Sequence, residues 1–221
     1  MTLSTLNKSI SPAIIISSLI FNYCNADASV KTSPEYLKEK EMHHLNPGKF
    51  SYIMFGDSIT KGGKWNKLLP GYSVGNRGIS GDDTSGMLER FEDVEKTGAK
   101  TVFIMAGTND VSRKVRPEIV VGNITAMTNK MRKDGINVVI QSTILSGKER
   151  ESKNKSINII NSSLKEYSVK SGVPFLDLNK NLSENGLLKR EYTYDGTHLT
   201  DRGYDVWSKI LLNFLKKSNM G

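Results

Sequence analysis

The chain has 221 residues, which is enough for one domain with a full hydrophobic core but not comfortably for two. Its 37% apolar and 24% charged residues are typical of a globular protein and do not point to a disordered tail. The net charge of +8 favours anionic surroundings, but the basic residues are scattered, so we expect a solvated basic surface and no nucleic-acid partner.

The first 28 residues have the pattern of a signal peptide. Lys8 precedes an apolar run over residues 10–21, and Ala26-Asp27-Ala28 is a small-x-small cleavage signal. A run of about a dozen residues is too short for a bilayer span of roughly 20 residues, so we expect export with cleavage after Ala28 and no stable membrane insertion. The alternatives are an uncleaved membrane anchor and a disordered leader. Cleavage would also remove Cys24, the single cysteine, which excludes a disulfide, a thiolate zinc site and a cysteine nucleophile.

Residues 29–48 are interpreted as a polar leader, and residues 49–221 as the folded domain. Within that domain, short apolar runs alternate with segments of helical periodicity, which indicates an α/β fold. The runs predict five buried strands of a mostly parallel sheet, at 50–55, 72–74, 101–105, 138–140 and 173–176. Apolar stripes predict helices around 87–94, 120–131, 157–167 and 204–214. The pattern predicts a doubly wound sandwich with a binding crevice at the carboxyl ends of the strands.

A serine follows the first predicted strand, in Gly56-Asp57-Ser58-Ile59-Thr60. A serine at the start of a helix is ordinarily a capping residue, so this motif alone is only suggestive. A serine hydroxyl becomes a nucleophile when a neighbouring base takes its proton.

The candidate base is His198, because His43 and His44, the other two histidines, lie in the polar leader. Asp195 precedes His198 by three residues, a spacing that lets its carboxylate bind one imidazole nitrogen while the other faces Ser58. The alternative is that Asp195 is an Asx-turn residue that caps the last helix.

Attack on a carbonyl creates an oxyanion, which needs hydrogen-bond donors. Gly78 follows the second predicted strand and can offer an unobstructed backbone N–H, and Asn109 follows the third and can offer a side-chain amide. Taken singly, both are ordinary turn residues. Their placement beyond neighbouring strands makes them candidates for an oxyanion hole.

Four ordered segments resemble the sequence blocks of the SGNH/GDSL hydrolases: G-D-S-I-T, N-R-G-I-S-G-D, G-T-N-D and D-G-T-H. The resemblance runs from about residue 50 to residue 215 and is closest to the compact acetylhydrolase-like members, with Ile59 where the family name has leucine. It implies a flavodoxin-like three-layer fold, a serine esterase without metal or organic cofactor, and a triad of Ser58, His198 and Asp195. It also implies an oxyanion hole made by Ser58, Gly78 and Asn109.

Several substrates suit such an enzyme. The leading hypothesis is the removal of short acyl groups, above all acetyl, from a glycan or lipid, because the connections after the predicted strands are short and polar. A lysophospholipase or thioesterase with a longer acyl pocket is the alternative. A catalytically silent module that binds acidic glycans or nucleic acid is a third class, suggested only by the net charge.

Overall fold

A computed structural model describes residues 28–218. The predicted signal peptide, apart from Ala28, lies outside the described residues. Within residues 28–218 we find no helix that combines the length and the apolar character needed to cross a bilayer.

The centre of the fold is a sheet of five parallel strands in the order β2-β1-β3-β4-β5. The strands are β1 Tyr52–Gly56, β2 Val74–Gly78, β3 Thr101–Met105, β4 Asn137–Gln141 and β5 Phe175–Leu176. This arrangement confirms the predicted fold class. Gly56 pairs with Gly78 on one side and with Met105 on the other, so the segments that follow β1, β2 and β3 leave the sheet at the same level.

The second strand differs from its prediction. The apolar run predicted residues 72–74, whereas the strand begins at Val74 and continues through Asn76 and Arg77 to Gly78. It is an edge strand, and its polar side chains have partners beyond the sheet: Asn76 Nδ2 donates to the Lys61 carbonyl at 2.9 Å, and Arg77 donates to the Pro47 carbonyl. These tertiary hydrogen bonds explain why hydrophobicity did not reveal the strand.

Helices cover both faces of the sheet. They are α1 Ala28–Lys31, α2 Pro34–Leu45, α3 Ser58–Lys61, α4 Trp65–Leu68, α5 Thr84–Glu95, α6 Thr108–Ser112, α7 Pro117–Lys133, α8 Asn154–Ser171, α9 Asn179–Leu182 and α10 Asp201–Lys217, with 3-10 turns at Lys148–Lys153 and Arg190–Tyr192. One core lies between the sheet and α4, α9 and α10, and the other between the sheet and α5, α7 and α8. Alternate residues of β1 enter the two cores: Met54 enters the first, and Ile53 and Phe55 the second. This burial on both faces is typical of a three-layer α/β sandwich.

The segment interpreted as a polar leader contains a helix that is docked on the domain. Ser33 caps α2 by accepting the Tyr36 N–H, and Pro34 begins the helix. Tyr36 is the buried residue of α2, whereas Leu37 and Met42 are about half exposed. Because α2 has one buried anchor and no apolar stripe, hydrophobic periodicity did not predict it.

A small hairpin follows the fifth strand and was also not predicted. Its strands are β6 Ser183–Glu184 and β7 Leu187–Leu188, which pair antiparallel. Asn185 and Gly186 connect them with φ of 51° and 76°. Asn-Gly is the preferred dipeptide of a two-residue hairpin turn, so the local sequence did carry the signal.

Candidate active site

Ser58 is the first residue of α3 and follows the turn that leaves β1. Asp57 caps this helix, because its Oδ1 accepts the Ile59 N–H at 2.9 Å. The Ser58 hydroxyl is therefore not the helix cap, and its Oγ lies 3.0 Å from His198 Nε2. This contact joins two residues that are 140 positions apart in the chain.

His198 belongs to a tight turn that Asp195 organises. Asp195 Oδ2 lies 2.7 Å from His198 Nδ1, while Oδ1 accepts the backbone N–H groups of Thr197 at 2.9 Å and His198 at 2.7 Å. Asp195 thus acts as an Asx-turn residue through one oxygen and orients the imidazole through the other. It does not cap the last helix, because Thr200 does so by accepting the Gly203 N–H.

The electrostatics of Asp195 suit a partner for a protonated imidazole. Partial burial acts to raise the pKa of Asp195, but hydrogen bonds from the His198 ring and from the His198 and Thr197 amides outweigh it. The net effect holds the pKa of this carboxyl below its ordinary value. Asp195 is therefore ionised at neutral pH, the state needed to hold Nδ1–H and leave Nε2 facing Ser58.

The two remaining histidines lie on α2, where His44 has another partner and the buried Nδ1 of His43 has none among residues 28–218. His44 Nδ1 is 2.8 Å from Asp93 Oδ1 on α5. Burial, together with the nearby Arg77 and Arg90, lowers the pKa of His43 to about 4, so His43 is neutral. The His198 ring is the one bonded to Ser58.

The predicted oxyanion donors differ in how free their N–H groups are. Asn109, in α6 after β3, uses Nδ2 to donate to the Asp82 carbonyl at 2.8 Å, and a primary amide retains a second N–H. Gly78 is different, because its N–H donates to Asn76 Oδ1 at 2.9 Å. A Cβ at Gly78 would overlap the backbone of Lys61, so this glycine is required for close packing against α3.

Gly81, three residues further on, has the available backbone N–H that was expected of Gly78. Its φ of 74° lies in the left-handed region that favours glycine, and it directly precedes Asp82, the residue whose carbonyl binds Asn109. Among residues 28–218 no acceptor is found for the N–H of Gly81 or of Ser58. The sequence could have indicated Gly81 as a candidate donor, because it is the second glycine of the N-R-G-I-S-G-D block.

Two buried carboxyls lie behind these loops. Burial raises the pKa of Asp57 to about 7, and within the described part of the chain its Oδ2 has no hydrogen-bond partner. Burial also raises the pKa of Asp110 to about 6, although Asp110 accepts the Thr84 hydroxyl at 2.5 Å and the Thr84 N–H. Asp110 thereby joins α6 to the start of α5, which fixes the loop after β2 relative to the loop after β3.

An exposed aromatic ring and a groove with a mixed charged and apolar lining flank the His198 turn. Tyr194 is 66% exposed, and its ring is stacked on the His198 ring with centroids 5.8 Å apart and planes at 12°. A groove of about 320 Å³ runs beside the turn, lined by charged residues that include Glu149 and Arg190 and by Thr193, whose hydroxyl donates to the His198 carbonyl at 2.7 Å. Sequence reasoning did not identify Tyr194.

The part of the chain from 28 to 218 contains no group of three or more His, Cys, Asp or Glu side chains arranged to hold a metal ion. The geometry around Ser58 instead supports serine chemistry: a hydroxyl bonded to an imidazole, an imidazole bonded to a carboxylate, and amide donors on neighbouring loops. This set of groups is suited to acyl transfer.

Comparison with known proteins agrees with this geometry. The sequence pattern of the GDSL-like lipase/acylhydrolase family matches residues 54–206. The chain belongs to this family. This membership confirms the resemblance found in the sequence blocks, and an acylhydrolase family supports the predicted class of carboxylic ester hydrolase.

Solved structures of several bacterial proteins share the fold. A GDSL-like lipase from Bacteroides thetaiotaomicron is 27% identical, covers 89% of this chain and 97% of its own, and superposes with a TM-score of 0.66. Axe2, an acetylxylan esterase from Geobacillus stearothermophilus, is 18% identical, covers 75% and 94% of the two chains, and has a TM-score of 0.63. At that identity the second likeness shows the fold alone.

Curated relatives from Streptococcus agalactiae are named N-acylneuraminate cytidylyltransferase. They are 25% identical over 192 residues, which is 87% of this chain but 44% of theirs. The chain thus spans less than half the length of these relatives.

Proposed function

We propose that this protein is an exported serine esterase that removes short acyl groups, above all acetyl, from hydroxyl groups of a sugar-like alcohol. The observation that carries the proposal is the chain of contacts from Ser58 Oγ to His198 Nε2, at 3.0 Å, and from His198 Nδ1 to Asp195 Oδ2, at 2.7 Å. A serine and a histidine at this distance can transfer a proton, and the carboxylate stabilises the imidazolium that results.

In the proposed reaction, His198 takes the Ser58 proton while Oγ forms a bond to the ester carbonyl carbon. The resulting oxyanion is bound by the N–H groups of Ser58 and Gly81 and by the free amide N–H of Asn109. His198 then gives its proton to the departing alcohol oxygen, which leaves an acyl group on Ser58. Water attacks this acyl-enzyme with His198 again as base, and the carboxylic acid and free Ser58 are released.

In this mechanism Gly81 replaces Gly78 as the glycine of the oxyanion hole. The Gly78 N–H donates to Asn76 Oδ1 at 2.9 Å, whereas the Gly81 peptide adjoins the carbonyl that binds Asn109.

No step requires a metal or an organic cofactor. We expect hydrolysis to be unchanged, within about twofold, after dialysis against EDTA, because every group that the mechanism uses is a protein side chain or amide. Loss of activity that zinc restores would contradict the mechanism.

The surroundings of the site favour a short acyl group and a polar alcohol. Tyr194 is an exposed large apolar side chain that stacks on His198. The other exposed large apolar side chains of the described residues lie on α2, α7 and α8: Leu37, Met42, Leu45, Ile119, Ile159 and Val169. The adjoining groove is lined by charged residues together with Leu187 and Leu188. The net charge of +8 and relatives named for N-acylneuraminate favour an acidic sugar as the alcohol.

A series of nitrophenyl esters tests the acyl preference. Each buried methylene contributes about 0.8 kcal/mol, so a long apolar pocket would raise kcat/KM several-fold per carbon until it is full. We expect acetyl or propionyl esters to be best and kcat/KM to decline beyond about four carbons. A maximum at about eight carbons or longer, measured below the micelle limit, would favour the lysophospholipase or thioesterase alternative. Ser58→Ala serves as the background control.

The alcohol is tested with acetylated xylan, an O-acetylated N-acylneuraminate and a lysophospholipid, with acetate or fatty acid release as the readout. We expect the acidic sugar ester to be preferred. Binding of these compounds without hydrolysis, together with no labelling by a fluorophosphonate, would favour the non-catalytic binding module.

Export is tested by the intact mass of the secreted or periplasmic protein. Cleavage after Ala28 would leave Lys31, whose ammonium group contacts Ser85 on α5, in the mature protein. We expect a mature chain that begins at Ser29. A protein that retains Met1 would contradict cleavage and would favour the membrane-anchored alternative.

A further inference from the structure

A buried ion pair lies beneath the loops that carry the candidate oxyanion donors. Arg90 Nε donates to Asp82 Oδ2 at 2.7 Å, and the two side chains are 1% and 0% exposed. A buried pair is favourable only if its other donors and acceptors are also satisfied. Arg90 meets this condition by donating to the carbonyls of Arg77 and Gly56, each at 3.0 Å. Because Gly56 precedes Asp57 and Ser58, Arg90 ties the pair to the nucleophile turn.

The other oxygen of the same carboxylate has two donors. Asp82 Oδ1 accepts the Asp83 N–H at 3.1 Å and the Tyr36 hydroxyl at 3.0 Å. Tyr36 is 2% exposed and belongs to α2, the helix that precedes the predicted domain. The helix thus supplies a hydrogen bond to the interior of the site.

The Asp82 main chain completes the connection. Its carbonyl accepts the Asn109 amide at 2.8 Å, and Gly81 is the preceding residue. A shift of the Asp82 carboxylate would therefore move the Gly81 peptide and the Asn109 side chain together. Such a shift affects catalysis strongly, because transition-state donors act only when they are accurately placed.

We propose that Tyr36 is a positioning residue that holds the oxyanion loop through Asp82, which makes α2 part of the catalytic unit. The effect on turnover rests on the proposed esterase function, whereas the effect on the loop does not. The carboxylate of Asp82 is desolvated, and desolvation raises its pKa even though Arg90 acts to lower it. Without the tyrosine hydroxyl, Oδ1 would keep only the Asp83 N–H, so the buried carboxylate would be held by one hydrogen bond fewer and would be less firmly positioned.

The test is Tyr36→Phe, which removes only the hydroxyl, with Tyr167→Phe as the matched control. Tyr167 donates its hydroxyl to Asn129 at 2.6 Å on the outer surface of α7 and α8. We expect Tyr36→Phe to lower kcat for nitrophenyl acetate by about 10-fold with KM within about twofold, and the control to match the wild type. In an Asn109→Ala background the same change should have a smaller effect than in the wild type, because one of the donors that Tyr36 positions is already missing.

Hydrogen exchange provides a readout that does not depend on activity. Tyr36→Phe should accelerate exchange of the segment 79–83 and leave the turn 195–199 unchanged. Unchanged exchange at 79–83, an unchanged kcat, a rise in KM alone, or a full further loss in the Asn109→Ala background would each overturn the proposal. A wild-type protein without esterase activity but with faster exchange in the variant would contradict the proposed function and leave the positioning role intact.

Discussion

The two halves of the proposed active site are built in different ways. The base half is one turn, in which Asp195 binds the ring and two backbone amides within three residues, and it is about one third exposed. The oxyanion half is assembled from the ends of three strands and held by the buried Arg90–Asp82 pair. A local turn orders one side chain at little entropic cost, whereas donors on separate loops need a shared buried network. We therefore expect changes in the first half to stay local and changes in the second half to spread.

The largest effect should come from the contact that joins the two halves. Ser58→Ala and His198→Ala should each lower kcat by at least about 10⁴-fold, and the double variant should be little worse than either, because the two residues act as a unit. The measurement is steady-state hydrolysis of nitrophenyl acetate by the purified variants. Losses that multiply in the double variant would show that the residues act independently.

The next largest effect should come from the base half alone. Asp195→Asn keeps the size of the side chain but removes the charge that fixes the tautomer of His198, so we expect kcat to fall by about 10³-fold or more. Labelling of Ser58 by a fluorophosphonate should become slow but remain detectable, because the oxyanion half is intact. If hydrogen exchange at 79–83 equals that of the wild type, the change is local to the base half. Faster exchange at 79–83 would show that the two halves are not independent.

A smaller loss is expected from the oxyanion half. Asn109→Ala should lower kcat by about 10²-fold with a much smaller change in KM, as for a donor used in the transition state. Asn129→Ala, on the surface of α7, is the control and should behave as the wild type. A higher KM with unchanged turnover would instead make Asn109 a substrate-binding residue.

The smallest effect concerns the free energy of unfolding. Its change with pH should have opposite signs at Asp57, behind the oxyanion loops, and at Asp195, in the base half. Burial raises the pKa of Asp57 to about 7, so the folded protein loses stability relative to Asp57→Asn as the pH rises from about 4 to about 7. The difference should reach about 2 kcal/mol between pH 5 and pH 8, since one pKa unit corresponds to about 1.4 kcal/mol. Denaturant unfolding of both proteins at several pH values gives this difference.

Asp195 provides the opposite case for comparison. Its pKa is lowered, so the stability that its charge contributes is present above the unfolded pKa and is lost as the pH falls through the folded pKa. Asp195→Asn should therefore be less stable than the wild type at neutral pH and should approach it in acid. If Asp57→Asn and Asp195→Asn showed the same trend of stability with pH, the opposite pKa shifts assigned to the two carboxyls would be contradicted.

The base half could be predicted from the sequence, because its information is local. Asp195 and His198 are three residues apart, and the turn that joins them uses only hydrogen bonds between close neighbours. Four of the five strands could be predicted for a similar reason, since continuous apolar runs such as 101–105 mark burial on both faces. The polar edge strand β2 was misplaced because its partners lie elsewhere in the chain.

The oxyanion half could be predicted only in part. The sequence predicted Asn109 and Gly78 as donors, but it did not predict Gly81, because the difference between the two glycines depends on the Asn76 side chain that engages the Gly78 amide. The role of Tyr36 could not be predicted at all. Its hydrogen-bond partner, Asp82, is 46 residues away, and the helix that carries it has no apolar stripe to reveal its docking.

The central claim is that Ser58, activated by His198, is the nucleophile. The most direct measurement is stoichiometric labelling with a fluorophosphonate, followed by peptide mass spectrometry and an assay of residual hydrolysis. The account predicts one adduct on the peptide that contains Ser58, loss of activity in proportion to labelling, and no adduct in Ser58→Ala. An adduct at another residue with Ser58 unmodified, or full activity after complete labelling of Ser58, would contradict it.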